Sequence, residues 1–208
     1  MDKLKRYSDR VWQIGIFGSM LALYERRRNK ALCQQYGFDS WHVGATFHAR
    51  PYKKQAVRIA NSLNPKTVVE IGCGLGDVIG RINASQNIGI DYDANVLNAA
   101  SQLNKHCRFV EGSIYEIGAV LHRVNPGSID ILVMVNFLHS FTNEVLVDAM
   151  KSISDICRPA YLLVDMIYTS DLKFRNRHTL ATFEYFGSIE DIIDCADGAR
   201  KLVLVKLR

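Results

Sequence analysis

No C-x-x-C pair occurs in this chain of 208 residues, and its five cysteines (Cys33, Cys73, Cys107, Cys157 and Cys195) are scattered and odd in number. That pattern argues against a disulfide framework or a zinc site, and for a reducing compartment. No H-E-x-x-H string gathers any of the six histidines, so no metal site is visible. No G-x-x-x-x-G-K-[ST] string exists, which removes the P-loop nucleotide binders. No internal repeat, low-complexity segment or sequence-readable catalytic triad appears. The apolar run at residues 11–24 (VWQIGIFGSMLALY) is shorter than the ~20 residues that a bilayer-spanning helix needs.

What is present is an ordinary soluble composition, 48% hydrophobic and 23% charged, in a length that suits one domain with an appendage. The net charge of +5 is uneven. Residues 1–30 hold eight Lys/Arg against three acids, and the remainder is neutral. A neutral main body argues against a nucleic-acid-binding face, so no nucleic-acid partner is expected. Residues 1–49 form a helical arm or cap before a main domain at residues 50–208. Within the arm, a basic start and an apolar run resemble a signal peptide, but Glu25-Arg26-Arg27-Arg28 follows where a small-residue cleavage site would stand. Two readings remain. The arm packs on the domain and caps a substrate pocket, or it is an interfacial helix touching anionic lipid or a lipid-linked substrate. The expected location is cytoplasmic, with peripheral membrane contact under the second reading. The oligomeric state is not legible.

From about residue 50, helix and strand patterns alternate. Helices are expected over 52–63, 77–83, 93–103, 115–122 and 142–157. Strands are expected over 67–71, 87–91, 108–110, 129–135 and 161–165. Two more strand-like runs, 188–195 and 201–207, flank an Asp197-Gly198 hairpin signal. The fold class is therefore α/β: Rossmann-like and doubly wound, with a mostly parallel seven-stranded sheet, an antiparallel C-terminal hairpin strand and the N-terminal helical arm.

The segment Glu70-Ile71-Gly72-Cys73-Gly74-Leu75-Gly76 ends the first core strand in an acid and a glycine-spaced turn. Glycines permit positive φ and close approach of a ligand to the main chain. A dinucleotide fingerprint needs G-x-G-x-x-G, and here the third glycine comes one position early. The segment resembles the first motif of class I S-adenosylmethionine-dependent methyltransferases. The resemblance extends to Asp91, 19 positions after Gly72, and to residues 129–141 and the closing hairpin. It implies S-adenosyl-L-methionine as cofactor. By that resemblance Glu70 serves the ammonium end, and Gly72, Cys73, Gly74 and Gly76 border the methionine and ribose. Asp91 accepts hydrogen bonds from both ribose hydroxyls, and Tyr92 lies beside the adenine. Ser113 and Ile114 stand where many members place an adenine contact, and Glu111 substitutes if the register differs. Asn136 lies near the methionine portion. Tyr52 is the preferred lid contact from the aromatic cluster Trp41, His42, Phe47, His48 and Tyr52. Each has a plainer reading as turn, cap or packing residue.

Methyl transfer from a sulfonium needs mainly position and orientation, with a base only where the nucleophile must lose a proton. Base candidates beyond the strand ends are His139, Asp165 and His178. The loop over 168–182 adds Lys173, Arg175 and Arg177 beside Phe174, a mixture suited to an anionic acceptor or to a solvated loop. The segment Asn136-Phe137-Leu138-His139 stands where nucleic-acid amino-methylating enzymes carry Asn/Asp-Pro-Pro-aromatic. The expected reaction is methyl transfer to a small-molecule or glycan acceptor, at oxygen, with no metal. Rival readings are an NAD(P)-dependent oxidoreductase on a similar fold and a non-catalytic scaffold that keeps the cofactor fold.

Overall fold

In the computed structural model, which describes residues 3–168 and 174–208 with side chains from residue 14 onward, seven strands form one sheet. They are β1 (Thr67–Ile71), β2 (Gln86–Asp91), β3 (Arg108–Glu111), β4 (Ile131–Met134), β5 (Tyr161–Ile167), β6 (Gly187–Asp194) and β7 (Arg200–Leu207). The order is β3-β2-β1-β4-β5-β7-β6. The first five run parallel, and β7 is inserted antiparallel between β5 and β6. The order reverses between β1 and β4, which opens a crevice at their carboxyl ends.

Strand periodicity sorts the apolar side chains into two cores. In β4, Leu132 and Met134 face one layer while Ile131 and Val133 face the other, all fully buried. The first layer is covered by α5 (Ile117–Val124) and α6 (Asn143–Ile156). Leu146, Ala149, Met150 and Ile153 of α6 repeat at helical spacing and lie in that core. The second layer is covered by α3 (Pro51–Ser62), α4 (Ala94–Leu103) and α1 (Lys3–Tyr36), through residues such as Ala56, Val96 and Leu32. Each fully buried aliphatic side chain contributes about 1.5–3 kcal/mol. Short helices α2 (Trp41–Gly44) and α7 (Leu180–Glu184) complete the chain.

Three elements differ from the sequence expectation. The helix expected over 77–83 is a turn with one 3-10 segment, Ile79–Arg81. Two local bonds divert it. The Ile79 N–H donates to Glu70, and the Asp77 carbonyl accepts from the Arg81 guanidinium. Gly80 also lies against the Asn104 side chain. The helix expected over 115–122 starts later, as α5, after a 3-10 turn at Ile114–Glu116. The arm helix is longer than its apolar run and breaks at Gly15, whose φ of 72° only glycine adopts cheaply.

The buried Glu25 carboxylate anchors α1. It accepts from the His48 N–H (3.0 Å), His48 Nδ1 (2.8 Å) and Arg81 (3.3 Å). The opposite side exposes Ile16, Phe17, Met20 and Tyr24, each more than 60% accessible. No helix among the described residues is long and apolar enough to cross a membrane. Replacing Glu25 by Ala strands buried donors and is expected to cost roughly 2 kcal/mol. Hydrogen exchange should then release the α1 amides ahead of the sheet; unchanged protection of α1 would show that Glu25 is not its anchor.

Candidate active site

The turn after β1 is shaped by its glycines. Gly72, Gly74 and Gly76 all have positive φ. A Cβ on Gly72 would run into the Phe137 ring, and one on Gly74 would come within 2.9 Å of the His42 ring. The Gly72 and Cys73 N–H groups both donate to the Ile90 carbonyl (2.8 and 3.1 Å), so the turn folds back onto β2. There the Gly74 N–H donates to Asp91 Oδ2 at 2.8 Å, while the Asp93 N–H donates to Asp91 Oδ1 at 3.2 Å. Burial raises the Asp91 pKa, against the pull of these bonds. Each Asp91 oxygen keeps a lone pair for a further donor.

Glu70 sits on the face of β1 opposite Val69 and Ile71 and is 3% exposed. Among the described residues its one donor is the Ile79 N–H at 2.8 Å, and burial pushes its pKa up to about 8. Lys53 reaches in from α3 and pairs with Asp77 at 2.7 Å. Burial alone would lower the Lys53 pKa, but Asp77 and its neighbours raise it.

These groups border one cleft of about 540 Å³. Glu70, Gly72, Cys73, Gly74 and Asp91 line it from the β1 and β2 ends. Tyr92, 76% exposed, stands at its rim. Ser113 and Ile114 line it after β3; the Ser113 hydroxyl also accepts from the Tyr115 N–H. Asn136, Phe137, His139 and Phe141 close the β4 side, and Trp41, His42 and Tyr52 close the arm side. Burial lowers the His42 pKa to about 4, so its ring is neutral.

Behind Asn136 lies a buried cation that the sequence does not announce. Arg200, the first residue of β7, donates to Asp165 (2.7 Å), Asn136 (3.0 Å) and Asp197 (2.8 Å), and its guanidinium lies 4.0 Å over the Tyr52 ring. Asp165 also accepts from the Asn136 N–H at 2.6 Å, holding Asn136 at φ 59°. Lys53 and Asp77 were equally unannounced, because the sequence reading gave Asp77 only a helix start.

Four sequence expectations change in this light. Asp165 is a base candidate on paper, but it is bonded to Arg200 and Asn136 and does not line the cleft. His178 is buried with both ring nitrogens engaged, Nδ1 by Asn143 (2.7 Å) and Nε2 by the Leu138 carbonyl (2.9 Å), so it does not reach the cleft either. Gly76 packs against Asn104 and Phe109 behind the turn and is not on the wall. Tyr52 is 1% exposed and held under Arg200, which makes it a fixed wall and not a lid. His139 does line the cleft, and its Nδ1 is buried without a partner among the described residues. Burial lowers its pKa, which favours the neutral ring. Phe174 packs edge-on against His139 at 4.9 Å, and Asn176 donates to its carbonyl. Arg175 and Arg177 are exposed, and Lys173 lies outside the described residues.

Residues 68–160 match the sequence profile of a family described as a methyltransferase domain. No curated protein matches the chain in sequence. Among solved structures, the fold is similar to the N-methyltransferase NodS from Bradyrhizobium japonicum WM9 in complex with S-adenosyl-L-homocysteine. The two are 15% identical with a TM-score of 0.65, over 86% of this chain and 97% of that one. It is also similar to magnesium protoporphyrin IX methyltransferase (ChlM) from Synechocystis PCC 6803 with bound S-adenosyl-L-homocysteine, at 12% identity and TM-score 0.62, over 91% and 99%. Mitomycin 7-O-methyltransferase MmcR aligns at 15% identity and TM-score 0.61, over 85% of this chain and 60% of that one.

Folding raises the Glu70 pKa from 4.5 to about 8, so the folded state favours the proton. The stability this confers is fully present below pH ~4.5 and is lost as the pH rises towards 8. Glu70→Gln keeps an acceptor for the Ile79 N–H and removes the titration. Urea unfolding of the ligand-free protein should show the variant gaining a few kcal/mol over wild type at pH 8 and little at pH 4.5. Parallel pH profiles for the two proteins would contradict the assignment.

Proposed function

We propose that this chain is a class I S-adenosylmethionine-dependent methyltransferase that moves a methyl group by in-line displacement onto an oxygen of a small-molecule or glycan acceptor. The observation that carries the site assignment is Asp91, fixed by the Gly74 N–H at the tip of β2, with lone pairs turned to a cleft whose floor is glycine. The residues present fit S-adenosylmethionine. Glu70 is a buried acid with one donor among the described residues and lines the cleft, which suits an ammonium group. Asp91 suits a pair of ribose hydroxyls, and the glycine turn leaves room that a Cβ would fill. Tyr92, Ser113 and Ile114 border the adenine end, while Asn136 and Tyr52 border the methionine end.

When bound, S-adenosylmethionine supplies a methyl group on a cationic sulfur, already activated for displacement. The protein then has to orient the acceptor and take one proton. His139 is our choice for the proton: its side chain lines the cleft, burial favours its neutral ring, and Phe174 after β5 packs against it. His139 would receive the proton that the acceptor hydroxyl gives up as its oxygen is methylated, the electrons of the broken carbon–sulfur bond leaving with the thioether. Arg200 and Asp165 act at one remove, by fixing Asn136.

Oxygen is preferred because Asn136-Phe137-Leu138-His139 presents no proline-aromatic clamp for an amine; the similar structures are named for both O- and N-methylation. We assign residues 1–49 as the arm that caps the acceptor side and residues 50–208 as the catalytic domain. We place the protein in the reducing cytoplasm, on the strength of its free cysteines. A neutral main body leaves nucleic acid out of the partner set.

Calorimetric titration with S-adenosyl-L-homocysteine and with NAD tests the reading. The homocysteine product should bind, and Asp91→Ala should weaken it roughly 10- to 100-fold by removing a charged acceptor. Tight NAD binding without binding of the sulfur ligand, or unchanged affinity in Asp91→Ala, would refute it.

A further inference from the structure

A second cavity of about 370 Å³ lies between α1 and residues 41–50. Its wall is of two kinds. Ile14, Ala22, Leu23 and Trp41 are apolar, and Arg26 and Arg50 are cationic. Both arginines are exposed, and among the described residues neither makes an ion pair or a side-chain hydrogen bond. Leu23 and Trp41 are about half exposed, at 47% and 52%. Two unpaired cations beside an apolar wall form a site complementary to an anion that carries a hydrocarbon portion.

The cavity is joined to the cofactor cleft by one side chain. Trp41 lines both spaces. Its ring stacks on His42 at 3.9 Å, and His42 packs on Gly74 of the glycine turn. A molecule in the second cavity therefore ends against the wall of the first. Ile16, Phe17 and Met20 are exposed on the same helix and offer a surface to a chain longer than the cavity.

We propose that this cavity is a second ligand site, and that its ligand is an anionic amphiphile: a phosphate held by Arg26 and Arg50, with its apolar portion along Ile14, Leu23 and Trp41. This binding chemistry does not depend on the methyltransferase reading. A walled cavity favours a single molecule over a bilayer surface, which would need only the outward apolar stripe.

The test is calorimetry of the full chain with n-octyl phosphate below its micelle concentration. Inorganic phosphate, octyl glucoside and phosphatidylglycerol vesicles form the comparison arms. Octyl phosphate should bind at least about tenfold more tightly than inorganic phosphate or octyl glucoside. The double variant Arg26→Gln/Arg50→Gln should lose about tenfold or more of that affinity while keeping its affinity for S-adenosyl-L-homocysteine. The retained affinity shows that the variant is folded. Equal binding by the double variant, or octyl phosphate no tighter than octyl glucoside, would overturn the proposal. So would vesicle binding by wild type without octyl phosphate binding, which would make the arm a membrane contact. If S-adenosyl-L-homocysteine binds to neither protein, the methyltransferase reading fails, and the octyl phosphate arms still decide the cavity.

Discussion

Carboxylates buried at the carboxyl ends of parallel strands have to be satisfied without bulk water, and much of this structure follows from how they are. Glu70 is the last residue but one of β1, Asp91 ends β2 and Asp165 lies in β5, each 7% exposed or less. Asp91 takes the Gly74 N–H and so closes the glycine turn onto β2. Glu70 takes the Ile79 N–H, and the segment that follows stays a short 3-10 turn. Asp165 takes Arg200, which β7 delivers only because that strand is inserted between β5 and β6. Breaking the buried Asp165–Arg200 pair would cost about 3–5 kcal/mol, and leaving a buried carboxyl without its N–H donor about 1–3 kcal/mol, so each partner constrains the backbone around it.

The three acids divide the work. Asp165 is fully committed to protein partners and shapes Asn136 from behind the cleft. Glu70 and Asp91 are only partly committed, and both face the cavity. An under-satisfied acid in a low-dielectric cleft attracts a cation or hydroxyl donors, which is what a ligand with an ammonium and a ribose offers. The arm completes the cleft from the other side, through His42 on Gly74 and Trp41 beyond it. Its anchor is again a buried acid, Glu25, bonded to His48 and Arg81.

The sheet and the cofactor side were legible because their signals are local. Apolar runs of four to eight residues bounded by Gly, Asn and Pro mark strands, and a glycine-spaced turn after an acid marks a ligand. Asp91 was readable from its place at the end of the next strand. Arg200 was not, since its partners Asn136 and Asp165 lie 64 and 35 positions away and no periodicity connects them. For the same reason Asp165 and His178 read as bases when taken alone; their ion pair and paired ring bonds are long-range contacts. The missing helix over 77–83 is tertiary override: the pattern is helical, but Glu70 and Arg81 claim its backbone groups. The arm's helical nature was readable, and its break at Gly15 was not distinguished from an ordinary helical glycine.

The central claim is that the half-satisfied acids at the ends of β1 and β2 are there to hold S-adenosylmethionine. A crystal structure of the complex with S-adenosyl-L-homocysteine tests it most directly. The account predicts the ribose hydroxyls within hydrogen-bonding distance of Asp91, the amino group directed to Glu70 and the glycine turn in contact with the ligand. A ligand bound elsewhere on the chain, or one in the cleft that leaves Asp91 without a new partner, would contradict it.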